Sequence, residues 1–140
     1  MFFFITFVSF FVVPGDGGSQ IDAKLSKLAV PHYFCDQSTS HYFSLWLNLE
    51  QSMPFLIDCW VDNIRLVYDI KTRTTKNSPG VDIQIPGFGN TTTIEFVDPS
   101  RMPVSGYYNF MAEKLVKAGY RRGIDLRGAP YDFRKAPSKR

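Results

Sequence analysis

The most constraining feature of this sequence is the way an apolar run stops. Residues 11–20 read FVVPGDGGSQ, so Phe and Val pass directly into Pro14-Gly15-Asp16-Gly17-Gly18. Aromatic and β-branched side chains suit a buried strand. Proline removes a backbone donor, and glycine reaches backbone angles closed to other residues, so the strand must end here in a sharp turn with exposed amides. The residues in front, MFFFITFVSF, carry the apolar run back to the first residue. The run is too short for a transmembrane helix, which takes about 20 residues. It has the apolar centre of a signal peptide but neither the positive start nor the small-x-small cleavage site. Residues 1–10 are therefore read as an apolar leader, with the first strand and its turn within 11–33.

At 140 residues the chain suffices for one domain with one proper core, and 44% hydrophobic with 16% aromatic content argues for a folded protein. The formal charge of +3 is unevenly spread. Nine Lys/Arg against two Asp/Glu from Lys114 onward give +7, and seven against eleven before it give −4. Such a basic end is either a solvated surface or a contact with something anionic; the reading favours the surface, with no nucleic-acid partner. Cys35 and Cys59 are too few for a closed zinc site, and nothing implies a metal or cofactor. They fit either one bridge in an exported protein, contributing roughly 3 kcal/mol by chain entropy, or two buried thiols. One sequon, Asn90-Thr91-Thr92, marks Asn90 for glycosylation if the chain enters the secretory pathway; Asn77-Ser78-Pro79 is not a sequon.

Along the chain, residues after the turn read as a connecting segment through Tyr33. In TSHYFSLWLNLEQSMP (39–54), Tyr42, Leu45, Trp46 and Leu49 recur at helical spacing, with Thr39 or Ser40 as a cap. Phe55 to Tyr68 is dense in apolar residues and fits helix or strand. Lys71 to Gly80 is polar and reads as a loop. Val81, Ile83 and Ile85 alternate with Asp82 and Gln84, a half-buried strand, and Thr93 to Val97 reads as another. The clearest helix is Val104 to Ala118, with Tyr107, Phe110, Met111, Leu115 and Ala118 on one face and Gly119 as the C-terminal glycine. A short strand near IDLRG and a Pro-rich end follow.

The chemistry is incomplete. Acyl transfer on an α/β sheet needs a strained G-x-S-x-G turn that lifts a serine above the sheet, and none is present. Ser19 and Ser105 lack flanking glycines on both sides. His32 and His41 read as surface or packing residues. Gly15 to Gly18 lack the spacing of a phosphate cradle. One half of a site is nevertheless in place, since a Gly-rich turn behind an early strand is where such enzymes carry one oxyanion donor. An ordinary strand-ending turn is the competing reading.

Several blocks together favour the first. VVPGDGGSQIDAKL, HYFSLWLNLE, IDCWVDNIRLVYD, PGVDIQIPGFGNT, EFVDPS and RGAPYDFRKAP resemble, in family order, the lecithin:cholesterol acyltransferase family. The resemblance is closest to its lysosomal phospholipase A2 (group XV) branch and runs from Phe11 to Pro137. It implies an α/β-hydrolase fold, incomplete here: first strand, a membrane-binding subdomain over 34–68, and the first core helix. Residues 69–140 would begin the core and lid-adjacent segments and stop before the nucleophile.

The resemblance also implies a function. A serine acyl-enzyme would move a phospholipid acyl chain to water or a lipophilic alcohol, in a lysosomal or secreted protein that works on phospholipid membranes or lipoprotein surfaces. Asp16 would give its backbone N–H to the oxyanion, while the Ser-Asp-His triad would lie downstream. Cys35 and Cys59 would form the family's disulfide. Leu45, Trp46, Leu47, Leu49, Met53, Phe55 and Leu56 would supply the membrane face, some of them forming the subdomain's own core. Departures from the family are Gly17 in place of a larger apolar residue, Phe133 in place of Trp, and Asn90 in place of a basic residue, which creates its sequon. A lipid-surface module without catalysis, or a decaying gene copy, are the other readings of a chain without a nucleophile.

Overall fold

The computed structural model describes residues 8–135, so most of the 1–10 leader lies outside the described residues. In chain order the elements begin with β1 (Phe10–Val12), β2 (Ile21–Leu25), β3 (Phe43–Trp46), α1 (Ile57–Ile64), β4 (Leu66–Asp69) and β5 (Thr74–Asn77). They continue with β6 (Val81–Gln84), α2 (Thr92–Glu95), a 3₁₀ turn at Pro103–Ser105, α3 (Asn109–Lys117) and β7 (Leu126–Gly128). The fold is mixed α/β.

The apolar run does form a strand. β1 lies parallel to β7, with Phe10, Phe11 and Val12 opposite Leu126, Arg127 and Gly128. Beneath this pair sits one core of Val12, Ile94, Ala112 and Leu126, flanked by Tyr108, Leu115, Val116 and Tyr120. The second core belongs to an antiparallel sheet ordered β3-β2-β6 and is built from Ile21, Ala23, Leu25, Leu45 and Val81. Trp46, Trp60, Ile83 and Phe133 pack around it. β4 and β5 form a separate hairpin whose turn is organised by Asp69, which accepts hydrogen bonds from Lys71 N–H at 2.9 Å and Lys76 Nζ at 3.0 Å.

Four expectations change ahead of the long helix. The connecting segment after the turn contains β2, whose Ile21, Ala23 and Leu25 face the core while Asp22 and Lys24 do not. The helical spacing over 39–54 belongs to β3, because the edge of β2 offers Phe43 to Trp46 a ladder, which an isolated amphipathic turn would lack. The polar stretch 71–80 contains β5. Thr93 to Val97 is not a strand: Thr92–Glu95 is one helical turn, fixed by the Thr91 hydroxyl donating to the Glu95 carboxylate.

The open segment 55–68 is helix and then strand, with Trp60 Nε1 donating to Leu45 O at 3.0 Å to hold α1 on β3. The long helix begins later than its pattern suggests, at Asn109, and turns a different face inward. Tyr108, Ala112, Leu115 and Val116 pack on the core, whereas Tyr107, Phe110 and Met111 are exposed. The Lys114 ammonium lies 5.1 Å from the Phe110 ring centroid and covers it. Gly119, with φ of 106°, stands just past the helix, where a left-handed residue closes its last carbonyls.

Cys35 and Cys59 are bonded, with Cα atoms 5.5 Å apart. The bridge ties the loop before β3 to the first turns of α1. Lys27 reinforces the same junction: it is buried, pairs with Asp62 and donates to Asn63 Oδ1 at 2.9 Å.

Candidate active site

The Pro14–Gly18 turn leaves β1 at its C-terminal end, the end of a parallel strand where α/β sheets place ligands. Gly18 N–H donates to Gly15 O at 3.1 Å, which closes the turn, and Gly17 adopts φ of 73°. That angle requires glycine or carries strain, so the departure at Gly17 fits the local backbone. Asp16 is exposed at the tip. Among the described residues no group accepts its N–H.

Around this free amide the turn is fixed by three aromatic and polar props. Trp46 Nε1 donates to Gly17 O at 2.8 Å from 29 residues away. Tyr107 packs directly beneath: a Cβ on Gly18 would lie 2.6 Å from its ring and one on Gly15 would lie 3.0 Å from its hydroxyl. Ser19 is fully buried and its Oγ accepts the Tyr131 N–H at 3.1 Å. Ser19 is thus an anchor for the C-terminal segment, and its geometry is that of a structural hydroxyl. The role of Trp46 and Tyr107 as props was not legible from sequence, because neither lies near the turn along the chain.

The segment after β7 is stapled across both cores. Ala129 N–H donates to Val12 O at 2.9 Å. Arg134, only 7% exposed, binds both Asp132 oxygens at 2.8 Å and donates to Ile64 O and Asn77 Oδ1, each at 3.0 Å. A second clamp joins α2 to the approach to β7. Arg122 holds Glu95 with two bonds of 2.7 and 2.8 Å. Burial pushes the Glu95 carboxyl up, but the Arg122 bonds, the Thr91 hydroxyl and nearby positive charge outweigh it and leave it below its ordinary value.

A carboxylate depressed in the folded state stabilises the fold above its unfolded pKa, and that contribution is lost as pH falls through the folded value. The melting temperature is therefore expected to hold from neutral pH to about pH 5 and to fall below about pH 4. Thermal melts of wild type and Glu95→Gln at several pH values check this, with the variant less stable at neutral pH and less sensitive to acid.

The seven expected membrane residues divide. Leu45 is fully buried in the β2–β3 core, packed with Ile21, Ala23, Leu25 and Val81, and is therefore removed from the expected lipid face. Trp46 is half-buried, with its indole bound to Gly17 and its ring against Trp60 and Phe133. Leu47 and Leu56 are half-buried, while Leu49, Met53 and Phe55 are exposed. The loop that carries them is held by its own bonds. Asn48 Nδ2 donates to Ser44 O at 2.9 Å, Gln51 N–H to Asn48 Oδ1 at 3.0 Å, and Leu56 N–H to Met53 O at 2.9 Å. Among the described residues no helix is long and apolar enough to cross a membrane.

His32 Nε2 lies 3.0 Å from Asp58 Oδ2 on the surface, and His41 is exposed. His32 packs on the Phe34 ring rather than on a serine. Asn90 is exposed at the start of α2.

The site thus combines a parallel strand that ends in a glycine turn with an exposed amide and, bonded to that turn through Trp46, a disulfide-pinned unit with an apolar loop. The sequence pattern of the lecithin:cholesterol acyltransferase family matches residues 42–140, and the chain belongs to that family. Among curated relatives it is 54% identical to the human lysosomal phospholipase A and acyltransferase and 56% identical to that of Rattus norvegicus, over 91% of this chain in each case. It is 41% identical to the human phosphatidylcholine-sterol acyltransferase, again over 91% of the chain. The chain spans about 31% of the length of the lysosomal relatives and 29% of the sterol acyltransferase.

Proposed function

We propose that this chain is the N-terminal part of a lysosomal or secreted phospholipase A and O-acyltransferase built on an α/β-hydrolase fold. A serine outside these residues takes an acyl group from a phospholipid, and the acyl-enzyme passes it to water or a lipophilic alcohol. In each half-reaction the ester carbonyl becomes a tetrahedral oxyanion, and the Asp16 N–H donates to it. The observation that carries this reading is the Asp16 amide itself, without an acceptor at the C-terminal end of β1 and on a turn that Trp46, Tyr107 and Ser19 hold in place. A fixed donor stabilises developing charge without reorganising at the moment of reaction.

In this reading residues 11–33 carry the strand and donor turn, 34–68 the membrane-binding unit, and 69–140 the start of the core. Leu49, Met53 and Phe55 are the lipid anchors, with Leu47 and Leu56 behind them. Exposed apolar side chains enter the headgroup boundary in proportion to the area they bury there. Flotation of the chain with phosphatidylcholine vesicles tests this: replacing Leu49, Met53 and Phe55 together by Ser should weaken binding at least ~10-fold. Leu45→Ala should instead cost about 2–5 kcal/mol of stability. Equal flotation of wild type and triple variant would remove the lipid face from the account.

Catalysis is tested by joining residues 8–135 to the part of the human lysosomal relative that this chain does not cover. The chimera should release fatty acid from phosphatidylcholine vesicles. A folded chimera that binds vesicles without releasing fatty acid favours the second reading, a lipid-surface module alone, for which the exposed loop is sufficient.

A further inference from the structure

We propose that Asn90 is an N-glycosylation site that places one glycan on the rim beside the donor turn. Asn90-Thr91-Thr92 is the only Asn-x-Ser/Thr triplet in the chain whose middle and following residues are not proline. The fold presents it well. Asn90 is exposed on a turn closed by its own N–H to Gly87 O at 2.9 Å, between glycines with φ of 85° and 87° just upstream and the first residues of α2. Its two amide atoms have different roles. Oδ1 accepts the Thr92 N–H at 3.0 Å and the Thr92 hydroxyl at 2.6 Å. Nδ2 donates to no described group, so the nitrogen is free to carry a substituent while the oxygen keeps the turn. A Cβ built on Gly123 would lie 3.9 Å from Nδ2, an ordinary van der Waals contact.

A second observation concerns the compartment. Cys35 and Cys59 are joined, and structural disulfides persist where proteins are exported, which is where this modification is made. The step transfers a saccharide from a lipid pyrophosphate donor. The Nδ2–C1 bond forms, the C1–O bond to the pyrophosphate breaks, one amide proton is lost, and the lipid pyrophosphate leaves.

The position gives the glycan an address. Gly89 N–H donates to Gly128 O at 2.8 Å, and Gly128 is the residue of β7 paired with Val12 of β1. Asn90 therefore stands at the same end of the parallel pair as the turn that follows Val12. The proposal does not depend on the acyl chemistry and survives if that reading fails.

The test expresses the complete coding sequence in cultured animal cells and follows the chain before and after peptide N-glycosidase F. One discrete downward mobility shift is expected, together with conversion of residue 90 to Asp in the peptide map. Both should be lost in Thr92→Ala and in Asn90→Asp, the second of which keeps the acceptor oxygen and so preserves the turn. Disulfide-bonded chain with an unmodified Asn90 would overturn the proposal. So would chain recovered only with free thiols and no glycan, because it would not have reached the modifying compartment.

Discussion

In the chimera carrying residues 8–135, Asp16→Ala is expected to leave kcat within about threefold of the parent, whereas Asp16→Pro is expected to lower it by about 10²–10³-fold, the usual cost of one lost oxyanion donor. The two substitutions separate backbone from side chain. Neither the exposed Asp16 side chain nor its N–H has a hydrogen-bond partner among the described residues. Alanine keeps that N–H; proline deletes it. Because Trp46 and Ser19 hold the neighbouring residues, loss of one donor at the tip should change kcat more than KM. Retained vesicle binding and an unchanged melting temperature in the proline variant would show that the loss is chemical. Equal losses in both variants would assign the role to the carboxylate and contradict the account.

The second large effect is on stability. Arg134→Ala should lower the stability of the chain by about 3–5 kcal/mol, as expected when one partner of a buried ion pair is removed. The melting temperature should fall by on the order of 10 °C. The Arg134 side chain is almost wholly buried, and its loss takes a donor from the Asn77 amide oxygen and the Ile64 carbonyl and leaves the Asp132 carboxylate only its longer pair with Lys135 at 3.4 Å. These groups come from three separate stretches of chain, so the substitution should also loosen the packing of 129–135 against the Pro14–Gly18 turn. Burial raises the Asp132 carboxyl, but hydrogen bonds and charge from Arg134 and Lys135 leave it below its ordinary value. The stabilisation is thus present at neutral pH and lost as the solution is acidified through that value. Arg134→Ala should therefore flatten the acid limb of the stability profile, a signature that simple loss of packing would not give. Thermal denaturation across pH measures both effects.

What was legible in the sequence follows from how local each determinant is. The strand before Pro14, the strand from Val81 and the glycine at 119 are written in adjacent residues, and the structure places all three. β2 was written as well, in the alternation of Ile21, Ala23 and Leu25, but two charged residues and a preceding glycine cluster made it read as a connection. β3 and α2 were misread because tertiary partners overrode local pattern. Tyr42, Leu45, Trp46 and Leu49 match a helical period, yet Phe43–Trp46 gains a ladder with β2 and buries Leu45 between β2 and α1. Thr92–Glu95 is rich in β-branched residues, yet the Thr91–Glu95–Arg122 network closes it into a helical turn.

The site shows the same division. Pro14–Gly18 announced a turn with free amides, and the family blocks gave that turn a meaning. Its support could not be read, because Trp46, Tyr107 and Tyr131 reach it only through the fold. Nor could exposed apolar residues be sorted from the core by composition alone: Leu45 and Leu49 are the same residue type four positions apart, one fully buried and one exposed.

The proposed role of this chain is to contribute the oxyanion turn of a serine acyl-enzyme. Its most direct test is to capture the native polypeptide with an antibody raised against residues 8–135 and treat it with a serine-reactive fluorophosphonate. One covalent label is expected, on a serine outside these 140 residues, with loss of the label when the protein is first incubated with phospholipid vesicles. A native polypeptide that carries this chain, stays folded and takes up no label would contradict it.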